Sequence, residues 1–175
     1  MAKPLANGYP IGAVLMRDGV AEVMTAGQLF LVSARIRGSL TLSEKIVGTH
    51  GTTFGGSPLA CALGHHVLSR VSQPSFVAHI QETGAYLSAR LAQLPKWFPE
   101  LLQPGVRGTG LILGLGFRDG DHPGRLVQMA RERGVLVLTA GKDAVRFVPS
   151  LNVGRDEVDV VVDVLESCLG VMNTA

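Results

Sequence analysis

From residue 110 onward, short apolar runs alternate with amphipathic stretches, and this alternation most limits what the chain can become. "GLILGLGF" (110–117), "VLVLTA" (135–140) and "AVRFVPS" (144–150) are runs of strand length bounded by glycine, proline or serine. Between and after them, "HPGRLVQMARERG" (122–134) and "GRDEVDVVVDVLESCLG" (154–170) carry helical spacing, the first with Gly134 as its stop. Upstream, a helix is expected from Pro74 to about Leu94, with Phe76, Ile80, Leu87, Leu91 and Leu94 along one face. It ends at "PKWFPELLQPG", where three prolines cannot continue a helix. The pattern predicts a mixed α/β unit over residues 74–175.

Residues 1–73 are organised differently. "IGAVLM" (11–16) predicts a buried strand, and "GVAEVMTA" (19–26) a turn or two of helix. "SPLACALGHHVLSRVS" (57–72) predicts a helix with Ser57 as a hydroxyl cap, proline at its first position, and apolar spacing at Leu59, Leu63, Val67 and Val71. Residues 28–47 have no clean period and fit no element.

Composition sets outer limits. Apolar residues make up 46% of the chain and charged ones 17%, which describes a chain with a core rather than a disordered one. The net charge of +2 comes without a basic stripe, so nucleic acid is not an expected partner. No run reaches the roughly 18 apolar residues of a membrane span. Cys61 and Cys168 both lie in apolar helical patterns and read as buried free thiols. His50, His65 and His66 read as loop and helix residues, and no metal-ligand spacing is present.

Two stretches carry chemistry. In "HGTTFGGSP" (50–58), Thr52 and Thr53 supply hydroxyls, Gly51, Gly55 and Gly56 free the backbone, and a helix N-terminus follows. That combination holds a small anion, because hydroxyls, N–H groups and the helix dipole all favour negative charge there. An ordinary glycine-rich connection ahead of a helix fits the same spacing. Lys3, before "PLANGYP", is either a solvated charge or an amine available to a carbonyl cofactor.

Four blocks in order, "AKPLANGYPIGAVL", "THGTTFGGSPLACALG", "VRGTGLILGL" and "GVLVLTAGKDAVRFVPSLNV", resemble the C-terminal half of class III (subgroup II) pyridoxal-phosphate aminotransferases. Within that family the wording is most similar to the fungal mitochondrial enzymes that act on N-acetylornithine. The resemblance covers nearly the whole chain except residues 28–47. It implies the C-terminal part of a fold-type I transferase: a remnant of the cofactor-binding large domain over residues 1–73 and a small α/β domain over 74–175. It implies pyridoxal 5'-phosphate as cofactor, with Lys3 as the Schiff-base lysine and proton carrier. Thr53 would reach the phosphate held by a neighbouring subunit, and Thr52 would lie near the substrate. Arg146 would pair with a carboxylate, either of the substrate or of a protein glutamate. The implied reaction exchanges an amino group between N-acetylornithine and 2-oxoglutarate in arginine biosynthesis, in a homodimer of the mitochondrial matrix. Ornithine or another ω-amino acid is the alternative substrate, the cytoplasm the alternative location, and a catalytically inactive truncated chain the alternative state.

Two departures from the family accompany this. The half that supplies a glycine-rich phosphate turn, a ring stacked on the cofactor and an aspartate at its pyridine nitrogen has no counterpart in these residues. Residues 28–48 interrupt a familiar phrase, since removing Gln28 to Gly48 joins "VMTAG" directly to "THGTTFGG". A roughly twenty-residue insertion there is foreign to a compact domain, and a retained intron or a mispredicted gene is the expected source. A transcript that carries these codons throughout would overturn that origin.

Overall fold

The computed structural model describes residues 3–15, 17 and 53–174. The helix expected over 19–26, the segment 28–48, His50 and Thr52 lie outside the described residues. The chain divides into two compact units, Met1–Gln73 and Pro74–Ala175.

The first unit opens with a 3₁₀ turn, Lys3–Ala6. A tight turn follows: Asn7 and Gly8 take left-handed φ values of 50° and 109°, and Tyr9 N donates to Ala6 O at 3.3 Å. The strand expected over 11–16 does not form across residues 11–15, where only Gly12 makes a bridge. Val14 and Leu15 are 66% and 70% exposed. An apolar run becomes a strand only when a neighbour completes its ladder, and the described residues of this unit contain no strand.

Helix α1, Pro58–Val71, starts with proline as expected, but its capping differs. Ser57 makes no side-chain cap bond; its N–H instead donates to Phe54 O at 3.1 Å, closing a turn in which Gly56 has φ +73°. The buried side of α1 is also not the predicted leucine and valine row. It is the pair Ala60 and Gly64, one turn apart. These small residues let the N-terminal segment pack closely. A Cβ at Gly64 would sit 3.0 Å from Ile11 Cδ1 and 3.8 Å from Leu5 Cγ.

The second unit is a four-stranded sheet with helices. Helix α2 (Pro74–Leu91) and the single turn α3 (Leu94–Trp97) come first. Strands β1 (Arg107–Thr109) and β2 (Ile112–Gly116) follow, then helix α4 (His122–Glu132). Strands β3 (Leu138–Ala140) and β4 (Ala144–Phe147) lead to the terminal helix α5 (Arg155–Asn173). The order β1-β2-β4-β3 is antiparallel at every pairing.

One face of this sheet carries Leu113, Leu115, Val145 and Phe147. They join Leu87 and Leu91 of α2, Leu126 and Ala130 of α4, and Val162, Leu165 and Leu169 of α5 in a single core. Alternation along β2 and β4 sends the other side chains to the opposite face, where Ile112, Arg146 and Leu138 are exposed. Helix α4 ends as the sequence indicated: Gly134 takes φ +82°, and Val135 N donates to Ala130 O at 2.9 Å. At the start of α5, Gly154 N donates to Glu157 Oε2 at 2.6 Å.

Candidate cofactor and substrate site

Among the described residues, the first unit holds Lys3 and Thr53 of those singled out by the sequence. Lys3 begins the 3₁₀ turn, whose Leu5 lies against Gly64 of α1. Thr53 begins the turn Thr53–Gly56 that leads into the same helix, and it is exposed. Thus α1 presents its N-terminus toward the Thr53 turn and its small-residue side toward the segment carrying Lys3.

The chemistry of this donor set fits a phosphate. The first-turn N–H groups of a helix have no helical acceptor, and the first turn of α1 carries no acidic residue to compete for them. Thr53 adds a hydroxyl that has no hydrogen-bond partner among the described residues. Hydroxyl, free N–H groups and the positive end of a 14-residue helix all select an anion. Lysine, the residue at position 3, is of the kind whose amine an aldehyde takes up. The residues present therefore fit pyridoxal phosphate in kind.

Arg146 belongs to the second unit. It stands on β4 with its side chain on the exposed face, opposite Gly114 of β2 on one side and Leu138 of β3 on the other. No carboxylate lies within ion-pair distance of it among the described residues.

A polar cluster that the sequence did not reveal borders it. Arg107 Nη2 donates to Asp143 Oδ2 at 3.2 Å and to Gln103 Oε1. Gln103 Nε2 donates to Phe117 O at 2.6 Å and to Asp143 Oδ2 at 3.1 Å. These bonds, Arg107's first and Gln103's second, hold the Asp143 carboxyl below the usual range. Gln103, Arg107 and Asp143 are spread over 40 residues, and only the hairpin glycines of "VRGTG" hint that this part of the chain folds back.

His65 and His66 are exposed on α1, and no cluster able to hold a metal occurs among the described residues. Both cysteines are free, Cys61 half-buried and Cys168 buried. Burial pushes the Cys168 thiol up, against the opposing effect of Arg133, whose Nη1 lies 3.2 Å from Sγ. No helix among the described residues is long and apolar enough to cross a membrane.

The Thr53 turn and the first turn of α1 together have the chemistry of an anion-binding loop ahead of a helix. The chain belongs to the class-III aminotransferase family, whose profile it matches over residues 1–169. That membership implies pyridoxal phosphate as the family's cofactor.

Particular relatives narrow the likeness. The chain is 36% identical over 169 residues to the mitochondrial acetylornithine aminotransferase of Yarrowia lipolytica, covering 97% of this chain and 35% of the relative. It is 38% identical over 175 residues to the probable mitochondrial acetylornithine aminotransferase of Dictyostelium discoideum, covering 99% and 33%. The chain thus spans about a third of the length of these curated relatives. Among solved structures, the lysine aminotransferase from M. tuberculosis superimposes with a TM-score of 0.60 at 30% identity, over 65% of this chain and 26% of that one.

Proposed function

We propose that this chain supplies part of a pyridoxal-phosphate aminotransferase that moves an amino group between N-acetylornithine and 2-oxoglutarate. What carries the reading is its match, over nearly its whole length, to proteins named acetylornithine aminotransferase. The phosphate-compatible turn ahead of α1 supports it. When bound, the cofactor supplies an aldehyde and an electron-accepting ring.

The chain's own residues divide the remaining work. Lys3 Nζ would hold the cofactor and, once released from it by the incoming amine, would carry the proton that leaves and returns to the substrate. The Thr53 hydroxyl and the first turn of α1 hold a phosphate, that of a partner subunit in a homodimer. Thr52 lies beside the substrate. Arg146 pairs with a carboxylate, a task that suits a planar guanidinium able to donate two parallel bonds. The mitochondrial matrix is the proposed location, from the names of the relatives.

A second substrate reading rests on the likeness to lysine aminotransferase: another ω-amino acid takes the place of N-acetylornithine. Borohydride reduction of the chain with pyridoxal phosphate, followed by peptide mass mapping, tests the shared core of both readings. Selective modification of Lys3 over Lys45, Lys96 and Lys142 is the expected result. Equal modification of all four lysines would overturn the role of Lys3.

A further inference from the structure

Two guanidinium groups share one face of the sheet, and they are not equivalent. Arg107 on β1 and Arg146 on β4 are both cross-strand partners of Gly114, so both side chains leave the sheet on the same side. Two interstrand spacings separate their backbones by about 10 Å. Between them Gly114 has no side chain, and a Cβ there would meet only Val145 O, at 3.4 Å. The result is an open notch with a glycine floor and an arginine on each flank.

Only one flank is engaged. Arg107 Nη2 bonds Asp143 Oδ2 at 3.2 Å and also Gln103, and Gln103 orients the same carboxylate at 3.1 Å. The cluster lies over Gly116, where a Cβ would fall 2.9 Å from Arg107 Nη2 and 2.7 Å from Gln103 Oε1. Any larger residue at 116 would push it aside. Arg146 has no such partner among the described residues.

We propose that Asp143 masks Arg107, so that of the two arginines flanking Gly114 only Arg146 is open to a ligand carboxylate. This rests on the reading of Arg146 as a carboxylate-binding residue and assigns Asp143 a part in specificity. Asp143 acts as a built-in competitor, present at the high effective concentration of a tethered group. With it in place the notch takes one carboxylate. Without it, a second guanidinium faces the same floor and a dicarboxylate gains a second charged contact over a monocarboxylate. As a carboxylate Asp143 is charged at neutral pH in any case, and its bonds to Arg107 and Gln103 lower its ionisation range further.

The test uses the full chain, with glutarate and butyrate as probes and the Arg Nε–H and Gly114 amide resonances as readout. In the unsubstituted protein, the Arg146 and Gly114 signals should respond to both acids, with little preference between them. In Asp143→Asn, the Arg107 signal should also respond, and preference for glutarate over butyrate should rise about tenfold. Asp143→Glu should restore the original preference, and adding Arg107→Gln to Asp143→Asn should abolish the gain. A purely structural role would weaken both acids alike and leave Arg107 silent. A silent Arg107 in Asp143→Asn, with Arg146 still responding, overturns the masking alone. An Arg146 signal that responds to neither acid overturns the reading of Arg146 beneath it.

Discussion

Tyr86 on α2 donates its hydroxyl hydrogen to Asp159 Oδ1 on α5 at 2.7 Å. Arg90 reaches the same carboxylate at 3.1 Å and Asp163 at 2.7 Å, while Arg155 lies 5.0 Å from the centroid of the Tyr86 ring. The two helices that close the core of the second unit are thus joined by a polar seam above it. The bond requires the tyrosine proton, so it pushes Tyr86 above its ordinary value of 10.0, with desolvation and the charge of Asp159 adding to the effect.

The sign of the pH effect follows. A group whose folded pKa is raised contributes fully below its unfolded value, and its contribution is lost as pH climbs through the folded value, because the unfolded chain ionises first. Urea denaturation across neutral to strongly alkaline pH should therefore show stability falling above about pH 10. Tyr86→Phe should lower the midpoint at neutral pH and flatten that alkaline decline. Parallel pH curves for the two proteins would refute the role of this bond.

Glycine-to-alanine changes in two helices should have opposite signs. At Gly84 in α2, a Cβ would lie 2.8 Å from the backbone C and O of Gly110, which cannot rotate away. Gly84→Ala should cost about 1–3 kcal/mol through overpacking, more than the helix propensity it gains. At Gly170 in α5 a Cβ meets nothing within 4 Å. Gly170→Ala should stabilise, by up to about 1 kcal/mol. Thermal melts of both variants decide the matter.

Thiol kinetics should separate the two cysteines. Cys61 is half-buried on α1, whereas Cys168 is fully enclosed in the core with its thiol pushed up by burial. Since the thiolate is the reactive form, a chromogenic disulfide should titrate Cys61 first. Cys168 should react only at the rate at which α5 opens, and mild urea should accelerate it. Two equally fast phases would contradict its enclosure.

What was legible in the sequence follows from how local each signal is. Proline at the first position of α1 and glycine after α4 each act within one turn, and both helices start or stop beside them. The apolar runs of β2 and β4 were readable because each buries alternate residues in the same core. Strand β1 was not, because "RGT" is wholly exposed and exists only through its pairing with β2. The buried side of α1 was misjudged because close approach, not side-chain hydrophobicity, selects Ala60 and Gly64. Likewise Ser57 looked like a cap, yet its backbone is committed to the turn with Phe54. Lys3, Thr53 and Arg146 stood out through the wording of contiguous blocks. The Arg107–Asp143 pair spans 36 residues and becomes visible only once register sets both beside β2.

The proposed phosphate role of Thr53 makes the last prediction. Its side chain is exposed, and no described residue accepts or donates a hydrogen bond to its hydroxyl, so removing that hydroxyl should not disturb α1. A hydrogen bond to a charged group contributes about 1.5–3 kcal/mol, which corresponds to roughly ten- to hundredfold in affinity. In an assembly that binds pyridoxal phosphate, Thr53→Ala should weaken cofactor retention in equilibrium dialysis by that factor, and Thr53→Ser should recover most of it. Helical content and melting temperature should stay unchanged in both variants. Retention unaffected by Thr53→Ala would remove Thr53 from the phosphate site, leaving the first turn of α1 to hold the anion alone.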